Sequence, residues 1–129
     1  KVGDIIVVRN YLSQGQTIKR HSFVVLSTEH GEIQGMDFDL VCNVMSSFRS
    51  EEQRKRKMGY PGNFEYPADA ENIRNGHGRS GYIKAEQFYY FNREKTDFYV
   101  LGNVEPELFN VLIEFINQLK DIEVITDNL

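Results

Sequence analysis

What this chain lacks narrows it before anything it contains. Cys42 is its one cysteine, so no disulfide can form within it, and a reducing compartment suits it. No apolar run approaches the roughly 18 residues of a membrane-spanning helix, and no leader-like pattern opens the sequence. No membrane association is expected, and the cytoplasm is the expected location. His30, His77 and Cys42 lack the spacing of a zinc site and lie in segments of different kinds, so neither a metal nor another cofactor is expected. A basic excess is missing too: the formal net charge is −4 over 129 residues, which gives no bulk attraction to nucleic acid.

The charge that is present is unevenly spread. Residues 49–57 carry a local excess of cations, in Arg49 and Arg54-Lys55-Arg56-Lys57, whereas residues 105–129 hold Lys120 against six carboxylates. Any polyanion site must therefore be local.

Residues 4–8 and 22–28 are β-branched and aromatic runs too short for helices, and they read as strands flanking a polar loop at Ser13-Gln14-Gly15. Ile33 to Phe38 and Leu40 to Met45 read as two more. Ser50-Glu51-Glu52-Gln53 has the form of a capping box, with i,i+4 pairs at Glu51/Lys55 and Glu52/Arg56, so a short solvated helix is expected over 51–58. Gly59-Tyr60-Pro61-Gly62 stops it. Residues 60–81 read as a long loop centred on Asn75-Gly76-His77-Gly78. Strand character resumes from Ser80 through Phe91 and again at Phe98–Leu101. Pro106 then opens an amphipathic helix with Leu108, Val111, Leu112, Phe115, Ile116 and Leu119 on one face. The pattern predicts a single, mainly β domain over 1–129. Its antiparallel sheet is strongly bent or closed into a barrel, with the C-terminal helix packed across it.

Several segments in this order resemble one family. Val2-Gly3-Asp4-Ile5, a strand, Ser13-Gln14-Gly15, then Lys19-Arg20 opening a second strand, is similar to the start of the MazF/PemK/Kid toxin endoribonucleases. Gly81-Tyr82-Ile83-Lys84-Ala85-Glu86-Gln87 resembles a late strand of that family, and Leu101-Gly102-Asn103-Val104 before a helix resembles its ending. Residues 48–79 fall outside the resemblance and read as an insertion. The resemblance implies a small SH3-like barrel with a C-terminal amphipathic α-helix, here with a short helix in the insertion. It also implies a homodimer that cuts single-stranded RNA without a metal, neutralised by an antitoxin protein. In that chemistry the ribose 2′-OH attacks the adjacent phosphorus and leaves a cyclic phosphate.

By the same resemblance, Arg20 and Ser46, with Ser47 as the alternative one residue on, are the central catalytic contacts. Arg stays protonated and Ser neutral near pH 7, so both serve better as phosphate anchors than as proton carriers. His21 stands where the family commonly has Pro and is the candidate for proton transfer. Asp37, Asp39 and Glu86 are the next carboxylates to consider. Gln14, Gly15, Lys19, the basic run Arg54, Lys55, Arg56 and Lys57, and Tyr89 are the expected RNA contacts. Tyr89 belongs to Phe88-Tyr89-Tyr90-Phe91, an aromatic run where relatives carry an Arg-bearing stretch, and at least two of these four rings should be core.

Each candidate also has a plainer role: Arg20 in a surface ion pair, Ser46 and Ser47 at a strand end, the basic run as a solvated helix face. Two alternatives therefore stand beside the nuclease. One is a non-catalytic binding module for RNA or protein. The other is a CcdB-like toxin acting on gyrase.

Overall fold

A computed structural model describes residues 1–67 and 79–129; the expected loop centre at residues 75–78 lies outside them. The elements in chain order are β1 (Asp4–Ser13), β2 (Gln16–Ser27), β3 (Gly31–Ile33), β4 (Met36–Phe38), β5 (Leu40–Ser47), α1 (Glu51–Lys57), β6 (Asn63–Tyr66), β7 (Gly81–Lys84), β8 (Gln87–Phe91), β9 (Phe98–Asn103), α2 (Pro106–Asn117) and β10 (Glu123–Ile125). One sheet runs β10-β8-β5-β2-β1-β9, with β7 pairing β5 further along and β6 pairing β7. All pairings in this sheet are antiparallel except β10 with β8. The molecule is mainly β, as the sequence predicts, but among the described residues the ladder is open. The hydrogen-bonded path ends at β9 on one side and β10 on the other, so the sheet is not closed into a barrel.

The two hairpins use the same dipeptide. Gln14-Gly15 joins β1 to β2 and Gln34-Gly35 joins β3 to β4, and all four residues have positive φ, 53° and 78° in the first and 54° and 78° in the second. Left-handed backbone at both central positions matches the twist of the flanking strands, and glycine reaches it without steric cost. The second turn corrects the expectation of one strand over 33–38: Gln34-Gly35 folds it back on itself. Similarly, Ala85-Glu86 breaks the expected run from 80 to 91 into β7 and β8, β6 forms inside the expected 60–81 loop, and β10 follows α2 where no strand was expected.

β5 holds the bend together. Its first residues pair with β8 (Cys42 opposite Tyr89) and its last with β7 (Met45 opposite Ile83). Between them the chain turns at Ala85-Glu86, leaving carbonyls out of the ladder. Fully buried Asn43 reaches across from β5, and its side-chain amide donates to the carbonyls of Gln87 (2.8 Å) and Ala85 (3.4 Å). A side-chain amide thus replaces ladder bonds that the corner would lose, satisfying main-chain acceptors that water cannot reach.

Strand alternation gives the sheet two apolar faces. Ile5, Val24, Met45 and Ile83 pack with Leu112 and Ile116 of α2. Ile6, Val8, Phe23, Cys42, Val44, Tyr89 and Phe91 form the other core, where the bent sheet curls over its own aromatic rings. Phe23 lies edge-on to Tyr11, Tyr89 and Phe91 at centroid distances of 4.9, 5.1 and 5.3 Å. α2 begins at Pro106, whose missing N–H is not needed in a first turn. Its Leu112 is fully buried as the helical spacing predicts. Half of the expected capping box at α1 forms: Ser50 Oγ accepts from the Gln53 N–H at 3.1 Å, while Gln53 Oε1 takes the N–H of Arg49, one residue before the cap, instead of that of Ser50.

Candidate nucleic-acid interface

Arg20 sits near the start of β2, and its exposure follows from the strand: of Gln16 to Arg20 only Ile18 packs against a core, and the buried apolar run begins at Phe23. The pairing register places Ser22 opposite Val7 of β1 and Val7 opposite Tyr99 of β9. This row brings Tyr99 beside the β1–β2 hairpin. The Arg20 Nη2–H donates to the Tyr99 hydroxyl, and the guanidinium carbon lies 5.8 Å from the ring centroid. Arg9, from β1, stacks over the same ring at 4.8 Å. Its Nη1–H donates to the Asp97 carboxylate, and its N–H donates to the Asp97 carbonyl at 3.0 Å. Two guanidinium groups therefore converge on one phenol. Arg9 has a carboxylate partner, whereas Arg20 is bonded to a hydroxyl and is exposed, so its charge is open to solvent. A planar fork beside a hydroxyl suits a phosphate oxygen pair.

The strand-end serines divide between the two faces. Residues two apart share a face, so Ser46 goes with Val44 and Cys42, towards the aromatic core, and Ser47 goes with Met45. Arg20 shares its side with Ser22 and Val24, the side of Met45. Alternation therefore aligns Arg20 with Ser47 rather than with Ser46. Ser46 is fixed through its main chain: its carbonyl accepts from the Tyr66 hydroxyl at 3.3 Å. Gly81 lies opposite Ser47, and a Cβ there would come within 2.0 Å of the Ser46 carbonyl oxygen and 2.6 Å of the Tyr66 hydroxyl. No other residue fits at that crossing.

His21 points the other way, into the rim of the aromatic core, edge-on to Tyr11 and Phe23 at 6.4 and 6.5 Å. Burial pushes its pKa down; a main-chain hydrogen bond at Ser22 opposes this, the Lys84 charge reinforces it, and a further main-chain bond at Met45 opposes it. The imidazole is thus neutral at pH 7. Its Nδ1 accepts from the Ser22 N–H at 3.1 Å, which leaves the ring hydrogen on Nε2. With a further main-chain bond at Met45, His21 offers no free lone pair.

The remaining expected contacts fare differently. Gln14 and Gly15 are consumed by turn geometry, and the Gly15 N–H donates to Asp127 at 3.3 Å. Lys19 is exposed one residue from Arg20. Tyr89 corrects the expectation of a base-stacking ring: it is buried against Tyr11 and Phe23, its hydroxyl shares a 3.1 Å hydrogen bond with Ser13 Oγ, and burial raises its pKa. In α1, Arg54 is held by both oxygens of Glu65 (2.9 and 3.0 Å) and by Glu51 at 3.2 Å. Lys57 lies over the Tyr82 ring at 5.9 Å, and Phe48 stacks on that ring at 5.4 Å. Lys55 and Arg56 face solvent.

Of the three further carboxylates, Asp37 lies 3.8 Å from His30, and Asp39 accepts from the Arg93 N–H at 2.9 Å. Glu86 packs against Gly62, where a Cβ would meet its Oε2 at 2.0 Å. That oxygen and Asn43 Oδ1 are buried without a hydrogen-bond partner among the described residues. Cys42 is fully buried and its thiol pKa is pushed up, so it is an inert core residue.

Arg9, Tyr99 and Asp97 were not singled out from the sequence. The one local signal is Arg9 interrupting a strand directly after Val8; nothing local indicates that Tyr99, 79 residues beyond Arg20, completes the cluster. No protein-family model matches this chain, and no curated protein matches it.

Proposed function

We propose that this chain is an RNA-directed, metal-independent endoribonuclease of the MazF/PemK/Kid toxin type. In this reading the bent sheet and α2 are an SH3-like barrel in open form, the working unit is a homodimer, and a small antitoxin protein silences it. The observation that carries the reading is the pair of guanidinium groups on Tyr99, with Arg20 at the head of β2 where the resemblance puts its central anion contact. Arg20 and Arg9 hold the scissile phosphate. The Tyr99 hydroxyl, already accepting from Arg20, turns its own hydrogen to a phosphate oxygen. Together they stabilise the charge that builds on the phosphorane as the 2′-oxygen attacks, its proton passing to solvent water, and the 5′-oxygen leaves with a proton taken from water. Ser47, on the side of Arg20, is the better aligned of the two serines.

A second reading rests on His21. With Nδ1 occupied and the ring half-buried, the best proton carrier in the sequence is turned away from Arg20, which favours RNA binding without cleavage. One experiment separates the two readings. A long single-stranded RNA is incubated with the protein in EDTA, and the products are analysed for 2′,3′-cyclic phosphate ends. Cyclic ends that disappear with Arg20→Ala support the nuclease. Salt-sensitive binding with uncut RNA supports the binding module, and intact RNA that does not bind refutes both.

A further inference from the structure

At the opposite end of β2, about 20 Å along the strand from Arg20, a cleft of about 660 Å³ opens between the sheet and α2. Its walls are Leu26, Val41, Phe88 and Tyr90 from the sheet and Ile113 and Ile116 from the helix. The apolar surface does not stop at the mouth. Ile122 lines the cleft and is 37% exposed, and Val124, opposite Phe88 in the β10–β8 pairing, is 44% exposed. Ile122, just before the edge strand β10, and Val124 within it extend the unfilled apolar cleft beyond what a small ligand would cover.

The charge around this cleft is mainly acidic. Glu29 lies in its wall, and the His30 beside it is 3.8 Å from the Asp37 carboxylate. Glu114 on α2 and Asp121 and Glu123 flanking Ile122 are exposed, and Lys120 is the sole cation of residues 105–129. The basic residues of α1 and the Arg9–Arg20 pair belong to other parts of the molecule. An apolar floor with an acidic rim calls for an occupant that is apolar on one side and cationic around it. A second copy of this chain would bring the same acidic rim to the contact and repel it.

We propose that this cleft docks a basic amphipathic segment of another protein, seating one or two aliphatic side chains between Phe88 and Ile113 with Lys or Arg side chains over Glu29 and Asp121. The proposal is independent of whether the Arg20 face cuts RNA.

The test uses the full chain and two labelled synthetic peptides with leucines at i, i+3, i+4 and i+7. One carries lysine at its polar positions and the other glutamate. Fluorescence anisotropy should show the lysine peptide bound, weakened by salt, and at least about tenfold tighter than the glutamate peptide. Ile113→Glu, which fills the cleft with charge, should cost at least about tenfold. Glu29→Lys, at an exposed rim position where folding is not at stake, should weaken the lysine peptide and strengthen the glutamate one. Equal binding of the two peptides, or binding indifferent to both substitutions, overturns the proposal. So does sedimentation showing a dimer that Ile113→Glu converts to monomer, because the cleft would then be a self-association surface.

Discussion

Among the described residues two cationic regions stand out, and they are built in opposite ways. In α1 the cations are consecutive in sequence, visible at a glance, and partly spent: Arg54 is gripped by Glu65 and Glu51, and Lys57 lies along Tyr82. At the β1–β2–β9 edge they are dispersed in sequence and gathered by the fold. Arg9 and Arg20 meet on Tyr99, and Arg20 keeps its charge unopposed by that neighbour. The number of cations in a stretch therefore says little about where a phosphate binds. What matters is which cations lack a carboxylate and which are held in fixed geometry. No cation of α1 meets both conditions: Arg54 is held, but by carboxylates, and Lys55 and Arg56 face solvent, where flexible side chains gain little from any one contact.

Four measurements can break or sharpen that contrast. Arg20→Ala should have the largest effect, lowering RNA cleavage by roughly 10²–10³ with the circular dichroism spectrum unchanged, as expected for losing a main donor to the transition-state charge. If the binding reading holds instead, the same variant should show the largest loss of RNA affinity in the set. Arg9→Ala should follow at about tenfold, the scale of one charge-assisted contact, because Asp97 already claims part of its charge. An Arg9 effect exceeding that of Arg20 would reverse their assigned ranks.

The helix comes next. Replacing Lys55 and Arg56 together with alanine should weaken RNA binding only a few-fold and reduce the salt slope by about 1 to 2, while Arg54→Ala should leave affinity unchanged. A collapse of binding in the helix variants would invert the comparison. The smallest effect is a pH signature of His21. Its folded pKa lies below the ordinary histidine value of about 6.5, so the unfolded chain binds the proton more readily. Its stabilising contribution is full above about pH 6.5 and is lost as pH falls through the folded value. Thermal melts between pH 7.5 and 5 should show that loss in the wild type and a flatter profile in His21→Phe.

Much of the frame was legible in the sequence. β-branched runs marked β1, β2 and β5, and Ser50 with Gln53 marked the start of α1. Pro106 with the 3–4 spacing of Leu108, Leu112 and Ile116 marked α2. In each case the cause is local. The errors have a common cause too. Gln34-Gly35 was hidden because its flanking residues, Ile33 and Met36, look equally like one continuous strand. The break at Ala85-Glu86 depends on Asn43, forty-odd residues earlier, supplying bonds that make the corner tolerable. Ser46 and Ser47 show the limit most clearly. A one-residue shift moves a side chain to the other face, and only the pairing of β5 with β2 decides which serine accompanies Arg20. Tyr89 was misread for the same reason, since an aromatic run does not say which of its rings turn inward.

The pairing of β9 with β1 has a consequence in time. β1 and β2 are joined by a two-residue turn and can associate as soon as both exist, but β9 closes against β1 across most of the chain. Contacts of such long sequence separation form late, because loop-closure entropy opposes them until the intervening sheet is in place. During synthesis Arg9 and Arg20 emerge long before Tyr99 and stay unassembled until β9 docks. A nascent or truncated chain ending before residue 98 would display both arginines and still lack the site, so the anion-binding geometry is acquired only with the finished sheet.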